Sequence, residues 1–336
     1  MGARSSLTVT GVPGWLTHAF LASLRAAPLR GTGSATALVH HAVVVDDALR
    51  AAYPNVTAWH ALDLAAPGDL RPLLDGAETV VHAAGVIHVR TPREWDDVNT
   101  RGTIALAVAA KAAGVKRFVF LSSNAAGGAS GADDVLTEDV PARPLSRYGR
   151  SKLMAERALI ALHEAGRFEI VNLRPSMFYG PPVPARHVDI YRRVLTGRMP
   201  LVGGGAYRRS VTHVENLVQA VRLAVTEPRA AGETYYVVDD EIATTRSIVE
   251  AMAEALGVAP RFLRLPAVTG SVAYAADRML EAMGRYSGPV HLVGESNWHV
   301  AISSAKAKRE LGYAPARSLR EGMREAVAWC RETGLL

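Results

Sequence analysis

The sequence contains a single cysteine, Cys330, among its 336 residues. One thiol can form neither an intramolecular disulfide nor a cysteine-based zinc site within the chain, so we expect a reducing, cytoplasmic compartment and no metal. Long apolar runs are also missing. None approaches the roughly 18 residues that a spanning helix needs, and Ser5, Ser6, Thr8 and Thr10 interrupt the stretch where a signal peptide would be apolar. We therefore expect no membrane partner.

Runs of like charge are absent too. The chain has 38 Lys and Arg against 32 Asp and Glu, a formal charge of +6, but its basic residues are scattered singly. Nucleic-acid binding needs clustered basic residues, so we expect no nucleic-acid partner. A mild positive balance suits an anionic cofactor or small-molecule substrate. The hydrophobic content of 49% is typical of a globular protein of about two domains, or of one domain with an added lobe.

The first half of the chain alternates apolar strands with helical segments. The predicted strands are 6–10, 35–45, 77–85, 116–123 and 168–176, and the predicted helices are 15–27, 92–115 and 146–166. Continuous apolar strands separated by helices indicate a parallel sheet covered on both faces. The pattern predicts an α/β fold with a doubly wound parallel sheet of the Rossmann type, which binds its ligand at the carboxyl ends of the strands.

The second half lacks this regular alternation of strands and helices. Its segments 179–182 and 201–205 are rich in glycine or proline and are predicted to be loops. A further strand is predicted at 233–240, and a helix with a Thr start and a closing glycine at 244–257. We expect a Rossmann domain of residues 1–176, joined by roughly 211–240, and a smaller C-terminal substrate-binding lobe of 177–210 and 241–336. In that lobe, the apolar stripe of Met279, Leu280 and Met283 is predicted to belong to the core.

The stretch TGVPGWLT (10–17) joins the first strand to the first helix. Gly11 permits a tight turn, and Gly14 allows the backbone to approach a pyrophosphate at the start of the helix, at Trp15 and Leu16. Thr17 stands where a third glycine normally allows close packing of the helix on the strand. Taken alone, this pattern is equally compatible with an ordinary turn between a strand and a helix.

Three further groups follow the predicted strands. His40 and His41 stand where an NAD-binding fold commonly has an acid for the ribose diol. This leaves room for a 2′-phosphate and favours NADP over NAD, although two surface histidines explain the pair equally well. Asp63, followed by Leu64, can accept a hydrogen bond from an adenine amino group. The third group consists of small residues that let a dinucleotide lie across the sheet edge: Ala83, Ala84 and Gly85.

The strongest constellation is Ser123, Tyr148 and Lys152. Tyr148 and Lys152 are four residues apart and share one face of a helix. A phenol titrates near 10, and a nearby ammonium with a positive nicotinamide is expected to lower that pKa toward a usable general base. A serine hydroxyl at the neighbouring strand end can hold the substrate oxygen. Together they suit hydride transfer at a secondary alcohol or its ketone.

With these motifs the chain resembles the extended short-chain dehydrogenases/reductases of the NAD-dependent epimerase/dehydratase superfamily. TGVPGWLT is similar to TGxxGxxG, departing at Thr17; DVNTRGT is similar to NxxGT, FLSSNAAGG to the strand of the catalytic serine, RYGRSKLMAE to the YxxxK helix, and NLRPSMFYGPP to a strand and loop beside the nicotinamide. The resemblance implies NAD or NADP as cofactor, and a possible homodimer through helices 92–115 and 146–166.

The resemblance also implies roles for individual residues. Tyr148 would be the acid/base, Lys152 would tune it and hold the nicotinamide ribose, and Ser123 would polarise the substrate oxygen. Asn99 would support the active-site water and the helix bend, and Pro175 would contact the nicotinamide. Family dehydratases carry Asp-Glu directly after the catalytic hydroxyl residue, whereas Asn124 and Ala125 follow Ser123 here. The resemblance therefore leaves two reactions open: a net oxidation or reduction of the substrate, or an epimerisation that oxidises and then re-reduces it.

The substrate stays open between two classes. Arg209 matches the position at which nucleotide-sugar enzymes clamp a diphosphate, whereas HVEN (213–216) and the C-terminal segment resemble the branch similar to 3β-hydroxysteroid dehydrogenases, which acts on hydrophobic alcohols and ketones. His88, Asn124 and His291 are further candidates to face the substrate. We expect an NAD(P)-dependent oxidoreductase; the alternatives are a nucleotide-sugar 4-epimerase with retained NAD and, from another class, a non-catalytic dinucleotide sensor.

Overall fold

The computed structural model describes residues 6–29 and 34–336. These residues form twelve strands: β1 (Leu7–Val12), β2 (Ala35–His40), β3 (Val56–Leu62), β4 (Thr79–His82), β5 (Arg117–Leu121), β6 (Glu169–Pro175), β7 (Met177–Tyr179), β8 (Met199–Val202), β9 (Arg208–His213), β10 (Thr234–Val237), β11 (Ile242–Thr244) and β12 (Phe262–Leu265). They also form eleven α-helices: α1 (Trp15–Ala26), α2 (Asp47–Ala52), α3 (Thr103–Ala112), α4 (Arg147–Leu162), α5 (Ala185–Leu195), α6 (Val214–Thr226), α7 (Thr245–Leu256), α8 (Ala267–Ala282), α9 (Gly288–Glu295), α10 (Ala305–Leu311) and α11 (Leu319–Glu332).

Seven strands form the main sheet, in the order β10-β6-β5-β4-β1-β2-β3. Every neighbouring pair is parallel, and Val9 of β1 lies between Ala37 of β2 and Val81 of β4. The order reverses direction at β1 and β4, and such a switch point opens a crevice at the carboxyl ends of the strands. The predicted α/β fold with a doubly wound Rossmann-type sheet is confirmed.

Helices cover both faces of this sheet. On one face α1 and α6 pack their apolar sides against it, through residues such as Phe20 and Leu217. On the other face α3 and α4 do the same, through Leu106 and Leu159. Each strand of the centre is therefore buried on both sides, which explains why β5 is apolar at nearly every position.

The C-terminal lobe contains two small sheets and a helical core. β11, β9 and β7 form a three-stranded sheet, and β8 pairs with β12. Helices α5, α7 and α11 bury a separate apolar cluster that includes Val188, Met252 and Met323. The predicted helix 244–257 is confirmed in detail: Thr244 caps α7 in a capping box with Ser247, and Gly257 closes it in the left-handed conformation.

Two segments depart from the predicted division into lobes. α10 and the residues after it return to the core of the main sheet, where Ala307, Leu311 and Tyr313 pack. β9, which spans the predicted boundary at 211, pairs wholly with the small sheet. A boundary drawn along the sequence fails here because residues that are distant in the chain pack together in one apolar core.

The predicted placement of the methionine stripe in the core is wrong. Met279 and Met283 of α8 are exposed, and the buried residues of this helix are Gly270, Asp277 and Glu281. The two acids turn inward because they find partners there, whereas the apolar side faces outward. Among the described residues, no helix has the length and apolar character needed to cross a membrane.

Candidate active site

The turn between β1 and α1 has the close backbone approach that a pyrophosphate site requires. Gly11 has a φ of 84°, and a Cβ added to it would lie 2.8 Å from the backbone nitrogen of Ala84. A Cβ on Gly14 would collide with the carbonyl oxygen of Gly11. Trp15 and Leu16 form the first turn of α1, where free backbone N–H groups favour an anion. This cradle fits a dinucleotide phosphate.

Thr17 belongs to this turn and is almost completely buried. Its hydroxyl oxygen lies 2.9 Å from the carbonyl oxygens of both Gly11 and Gly14, to which it donates. The side chain that replaces the third glycine therefore ties the turn to the helix. The close packing that glycine would provide is replaced by a buried hydrogen bond.

The candidates for the adenosine end of the cofactor lie together beyond β2 and β3. His40 ends β2 and is exposed, with the ring of His41 at 4.1 Å. His41 Nδ1 lies 3.6 Å from a carboxylate oxygen of Asp63, whose other oxygen accepts a hydrogen bond from the backbone of Ala65. Leu64 is buried behind them. A carboxylate and two imidazoles thus share the site, in place of the single acid common in NAD-binding folds.

The loop after β4 contacts both the glycine turn and Lys152 of α4. Ala83 and Ala84 lie against Gly11, and a Cβ on Gly85 would come within 2.9 Å of Asn99 Oδ1 and 3.2 Å of Lys152 Nζ. Asn99 and Lys152 therefore leave no room for a side chain at Gly85, and the backbone of Ala83 and Ala84 leaves none at Gly11. The small residues of the loop keep the sheet edge open between the glycine turn and Lys152.

Asn99 lies in a π-helical segment, Trp95–Gly102, that runs directly into α3. Its side chain forms two hydrogen bonds of 2.8 Å to Val86, accepting from the backbone N–H and donating to the carbonyl oxygen. The predicted helix 92–115 thus begins with an irregular turn at the position that the resemblance associates with a helix bend. Local π-helix is a common device for aiming a side chain at a functional site.

Ser123, Tyr148 and Lys152 converge from two elements. Ser123 follows β5 and caps a short turn, accepting a 3.2 Å hydrogen bond from Ala125. Tyr148 and Lys152 occupy the first two turns of α4, which Ser146 caps. Asn124, the other candidate beside Ser123, has its amide oxygen 3.4 Å from the serine hydroxyl.

Lys152 is buried against the sheet. Its Nζ donates a 3.1 Å hydrogen bond to the carbonyl oxygen of Leu121 and lies 4.8 Å from the centre of the Phe120 ring. Burial lowers the pKa of the ammonium to about 8, and the carboxylate of Glu156 opposes this change. Glu156 itself forms a buried ion pair with Arg174, at 2.6 Å. Glu156 and Arg174 escaped prediction, although the spacing of Lys152 and Glu156 along one helix could have suggested the contact.

The pKa of Tyr148 differs from the sequence expectation. Loss of hydration raises the pKa of the phenol to about 12, a hydrogen bond with Ser123 opposes the rise, and the carboxylate of Glu295 adds to it. Lys152 was expected to lower this pKa, but its ammonium is directed to Leu121. In this arrangement Tyr148 is a protonated phenol at neutral pH, so it is suited to donate a proton.

Two aromatic residues near Tyr148, Trp95 and Tyr286, also escaped prediction. The Trp95 ring is fully buried and lies 6.4 Å from the Tyr148 ring and 5.0 Å from that of Tyr286. The Tyr286 hydroxyl lies 3.5 Å from His88 Nδ1, which places that candidate near this aromatic pair. The ring of His291 lies 6.1 Å from that of Trp95, tilted by 42°. No periodicity in the sequence links these residues because they come from three separate segments.

The remaining candidates lie at the edge of this region. Arg209 donates a 2.7 Å hydrogen bond to the backbone carbonyl of Glu295, and the neighbouring Arg208 donates to the carbonyls of Ala132 and Asp134. Both guanidinium groups are therefore engaged with the protein. Pro175 is buried at the end of β6, beside β10.

Comparison with known proteins identifies relatives along nearly the whole chain. It is 36% identical over 342 residues to uncharacterized protein y4nL of Sinorhizobium fredii, covering 97% of this chain and 95% of that protein. It is 30% identical over 333 residues to the UDP-glucose 4-epimerase of Vibrio cholerae, covering 96% and 94%. It is 28% identical over 267 residues to the 4-hydroxy-2-methyl-3-oxo-4-farnesyl-3,4-dihydroquinoline-1-oxide ketoreductase of Stigmatella aurantiaca, covering 76% and 78%.

Among solved structures, the crystal structure of gox2253 superposes with a TM-score of 0.80 at 25% identity, covering 99% of this chain and all of that one. Residues 7–239 match the NAD dependent epimerase/dehydratase family. The matched range contains the glycine turn, Asn99 and the Ser123, Tyr148 and Lys152 site. These findings confirm the resemblance drawn from the motifs: the chain belongs to the NAD dependent epimerase/dehydratase family.

Proposed function

We propose that this protein is an NAD(P)-dependent oxidoreductase that reduces a ketone to a secondary alcohol, or oxidises the alcohol. The observation that carries the proposal is the convergence of Ser123 and Tyr148 beside Lys152, at the carboxyl edge of the sheet. The glycine turn, with its close backbone approach at Gly11, supplies a matching place for the cofactor pyrophosphate.

The residues divide the work of a carbonyl reduction. When bound, the nicotinamide supplies the hydride. Ser123 orients the substrate oxygen, and Tyr148 donates its phenolic proton to that oxygen as negative charge develops there. A pKa of about 12 keeps the phenol protonated at neutral pH, as proton donation to the substrate oxygen requires. In the oxidative direction the same oxygen must first lose its proton, so oxidation is expected to accelerate as the pH rises.

Lys152 performs a supporting role through position and charge. Its Nζ lies between the loop after β4 and the end of β5, where an ammonium would meet the ribose next to the nicotinamide. Glu156 keeps this lysine charged against the effect of burial. The buried pair of Glu156 and Arg174 in turn holds the carboxylate in place.

The end of β2 supports NADP over NAD. His40 and His41 stand together there, and both are exposed. The ring N–H of a histidine can donate a hydrogen bond to a 2′-phosphate. The end of β2 carries these two imidazoles, and the nearby carboxylate of Asp63, which follows β3, lies 3.6 Å from His41 Nδ1. Titration of the protein with NADPH and NADH tests the preference; replacing His41 by Ala is expected to weaken NADPH binding more than NADH binding.

A nucleotide-sugar 4-epimerase is the second candidate function, because a relative of 30% identity along nearly the whole chain is named UDP-glucose 4-epimerase. It would use the same three residues and retain NAD. Arg209 stands at the matching position for a diphosphate clamp; it donates from one terminal nitrogen to the backbone carbonyl of Glu295, and its remaining N–H groups are the donors that a diphosphate would use.

One assay separates the candidates. The purified protein is incubated with NADPH or NADH and a panel of hydrophobic cyclic and acyclic ketones, and the loss of reduced-nicotinamide absorbance is recorded. With UDP-glucose, the product sugar is analysed in parallel. A reductase consumes reduced nicotinamide in proportion to product, whereas an epimerase forms UDP-galactose without net change.

The matched variants are Tyr148→Phe and Tyr191→Phe, the second of which removes a buried hydroxyl from the C-terminal lobe. Tyr148→Phe is expected to lower turnover by about 10²- to 10⁴-fold and to preserve cofactor binding; Tyr191→Phe is expected to retain turnover. If Tyr148→Phe left the activity unchanged, the proposed site would be wrong, and a non-catalytic dinucleotide sensor would become the better interpretation.

We also propose a homodimer through the outer sides of α3 and α4. These helices expose Val108, Met154 and Ile160, three apolar side chains on the surface that the resemblance implicates. Sedimentation velocity is expected to show a dimer that Met154→Glu weakens. A monomer at all accessible concentrations would contradict this part of the proposal.

A further inference from the structure

Helix α8 buries two acidic side chains and exposes its apolar side. Its buried residues are Gly270, Asp277 and Glu281, whereas Val268, Val272, Met279 and Met283 are 63%, 63%, 66% and 60% exposed. A surface helix of a globular protein normally packs its apolar side against the core. The inverted arrangement leaves an apolar surface without a partner among the described residues, and contiguous exposed apolar surface of this kind marks an interaction site.

Polar contacts fix the orientation of α8. A carboxylate oxygen of Asp277 lies 2.8 Å from His291 Nδ1 of α9. Glu281 accepts a 3.2 Å hydrogen bond from the backbone N–H of Arg147 at the start of α4, and its other oxygen lies 3.6 Å from Arg150. Turning the helix over would break these polar contacts, and the Val, Ala and Met side chains of the other side could not replace them. The apolar side therefore stays outward.

The outward side is continuous along the helix. At 100° per residue, positions 268, 272, 275, 276, 279 and 283 fall within one third of the circumference. All six are Val, Ala or Met, and each is exposed. Sixteen residues of α-helix extend about 24 Å, so this outer α8 face is a stripe of that length. We define the outer α8 face as Val268, Val272, Met279 and Met283 with the intervening alanines.

The exposed charges of the segment between Glu254 and Glu295 have one sign. Between Glu254 and Glu295 the sequence has two acids, Asp277 and Glu281, both buried, and four arginines. Arg261 and Arg264 are exposed before the helix, and Arg285 is exposed directly after it. An apolar stripe thus has exposed cations at both ends.

We propose that the outer α8 face docks this protein on an anionic membrane surface, with the helix lying in the plane of the headgroups. An apolar helix side flanked by arginines is the arrangement that interfacial helices use: the side chains enter the acyl boundary while cations meet lipid phosphates. The sequence expectation of no membrane partner rested on the absence of a spanning run, which surface docking does not require. The proposal does not depend on the reaction catalysed.

A second copy of the chain fits this surface less well. A symmetric contact between two outer α8 faces would bring Arg261, Arg264 and Arg285 of both copies together, since an isologous interface pairs the same patch with itself. The segment offers no exposed acid to pair with them. Charge complementarity therefore selects a negatively charged partner.

The test is flotation of the full chain with lipid vesicles on a density gradient. Vesicles of phosphatidylcholine mixed with phosphatidylglycerol are expected to carry the protein upward, whereas vesicles of phosphatidylcholine alone carry much less. Two double variants separate the contributions: Val272→Gln with Met279→Gln removes apolar contact, and Arg264→Gln with Arg285→Gln removes charge.

Each variant has an expected size of effect. The arginine pair is expected to weaken binding to the anionic vesicles by roughly twentyfold, since each cation near such a surface contributes about a factor of five. The apolar pair is expected to weaken it by at least about tenfold. Val44→Gln, at an exposed apolar residue outside α8, is the control and should bind like the wild type.

Three outcomes would overturn the proposal. The wild-type protein does not float with anionic vesicles; or both double variants float as well as the wild type; or sedimentation shows a self-association that Val272→Gln with Met279→Gln abolishes. The last outcome would assign the outer α8 face to a second copy. Circular dichroism of each variant confirms that the folded state is retained.

Discussion

The hydroxyl of Thr17 donates a hydrogen bond of 2.9 Å to the carbonyl oxygen of Gly11, across the turn that approaches the cofactor site. Both partners belong to the motif in which a glycine is usual at the position of Thr17. The threonine therefore closes the turn by a bond that glycine cannot make. Its presence is compatible with a functional site, because the backbone around Gly11 and Gly14 keeps its close approach.

Restoring the usual glycine is expected to harm the protein. Thr17→Gly removes a buried hydrogen bond and places a flexible residue in the first turn of α1, so it should lower the free energy of unfolding by about 2 kcal/mol. Urea denaturation measures the change. Thr17→Ser keeps the hydroxyl and is expected to lose less than about 1 kcal/mol; equal stability of the glycine variant and the wild type would contradict the structural role.

A negative charge at position 99 is expected to lower the stability of the folded protein. Its amide both accepts from and donates to Val86, and Asn99→Asp would direct a carboxylate oxygen at the Val86 carbonyl in a fully buried place. We expect a loss of at least about 2 kcal/mol of stability. Gln219→Glu is the matched control, because Gln219 only accepts, from Ala314, and is half-buried. A thermal melt in which both variants lose equally little would refute the prediction.

The buried pair of Glu156 and Arg174 should respond strongly to the loss of one partner. Glu156→Gln leaves the guanidinium of Arg174 buried without its counter-ion, which typically costs about 3–5 kcal/mol. It should also lower the pKa of Lys152 further, because Glu156 raises it. Glu164→Gln, at the exposed partner of Lys111, is the control and should cost less than about 1 kcal/mol. Equal effects in chemical denaturation would show that burial of the first pair is unimportant.

His82 should make the protein sensitive to mild acid. It is fully buried between the hydroxyls of Thr10 and Thr103, and burial together with Lys152 lowers its pKa to about 3. Above the ordinary pKa of 6.5, His82 is neutral in both the folded and unfolded states. Below it, the unfolded chain binds a proton that the folded protein excludes, so stability falls with the pH down to about 3.

The slope of the free energy of unfolding against pH is the quantity to measure. Between pH 6.5 and 5 His82 alone should remove about 2 kcal/mol from the free energy of unfolding, at roughly 1.4 kcal/mol per pH unit. His82→Gln is expected to flatten this dependence whatever its stability at neutral pH, and His60→Gln, on the exposed side of β3, is the control. An unchanged slope in His82→Gln would mean that other groups cause the acid sensitivity.

Local patterns were enough to predict the parallel sheet and its helices; the roles of Ser123, Tyr148 and Lys152 stay a prediction. Continuous apolar strands such as 117–121 can exist only where both faces are covered, so the parallel sheet follows from them. Tyr148 and Lys152 share a helix side because residues four positions apart lie on the same side of an α-helix. The capping box of Thr244 with Ser247 lies within the first turn of its helix. The shared side of Tyr148 and Lys152 and the cap at Thr244 depend only on residues that are near one another in the chain.

Features that depend on distant contacts escaped prediction. The pKa of Tyr148 rises because loss of hydration outweighs the opposing hydrogen bond with Ser123, and the spacing of residues in the sequence does not reveal the extent of burial. α8 turns its methionines outward because His291 and the start of α4 pair with its two acids. Short-range periodicity establishes which side of a helix is apolar; whether that side is buried depends on which surfaces the rest of the folded chain brings to it.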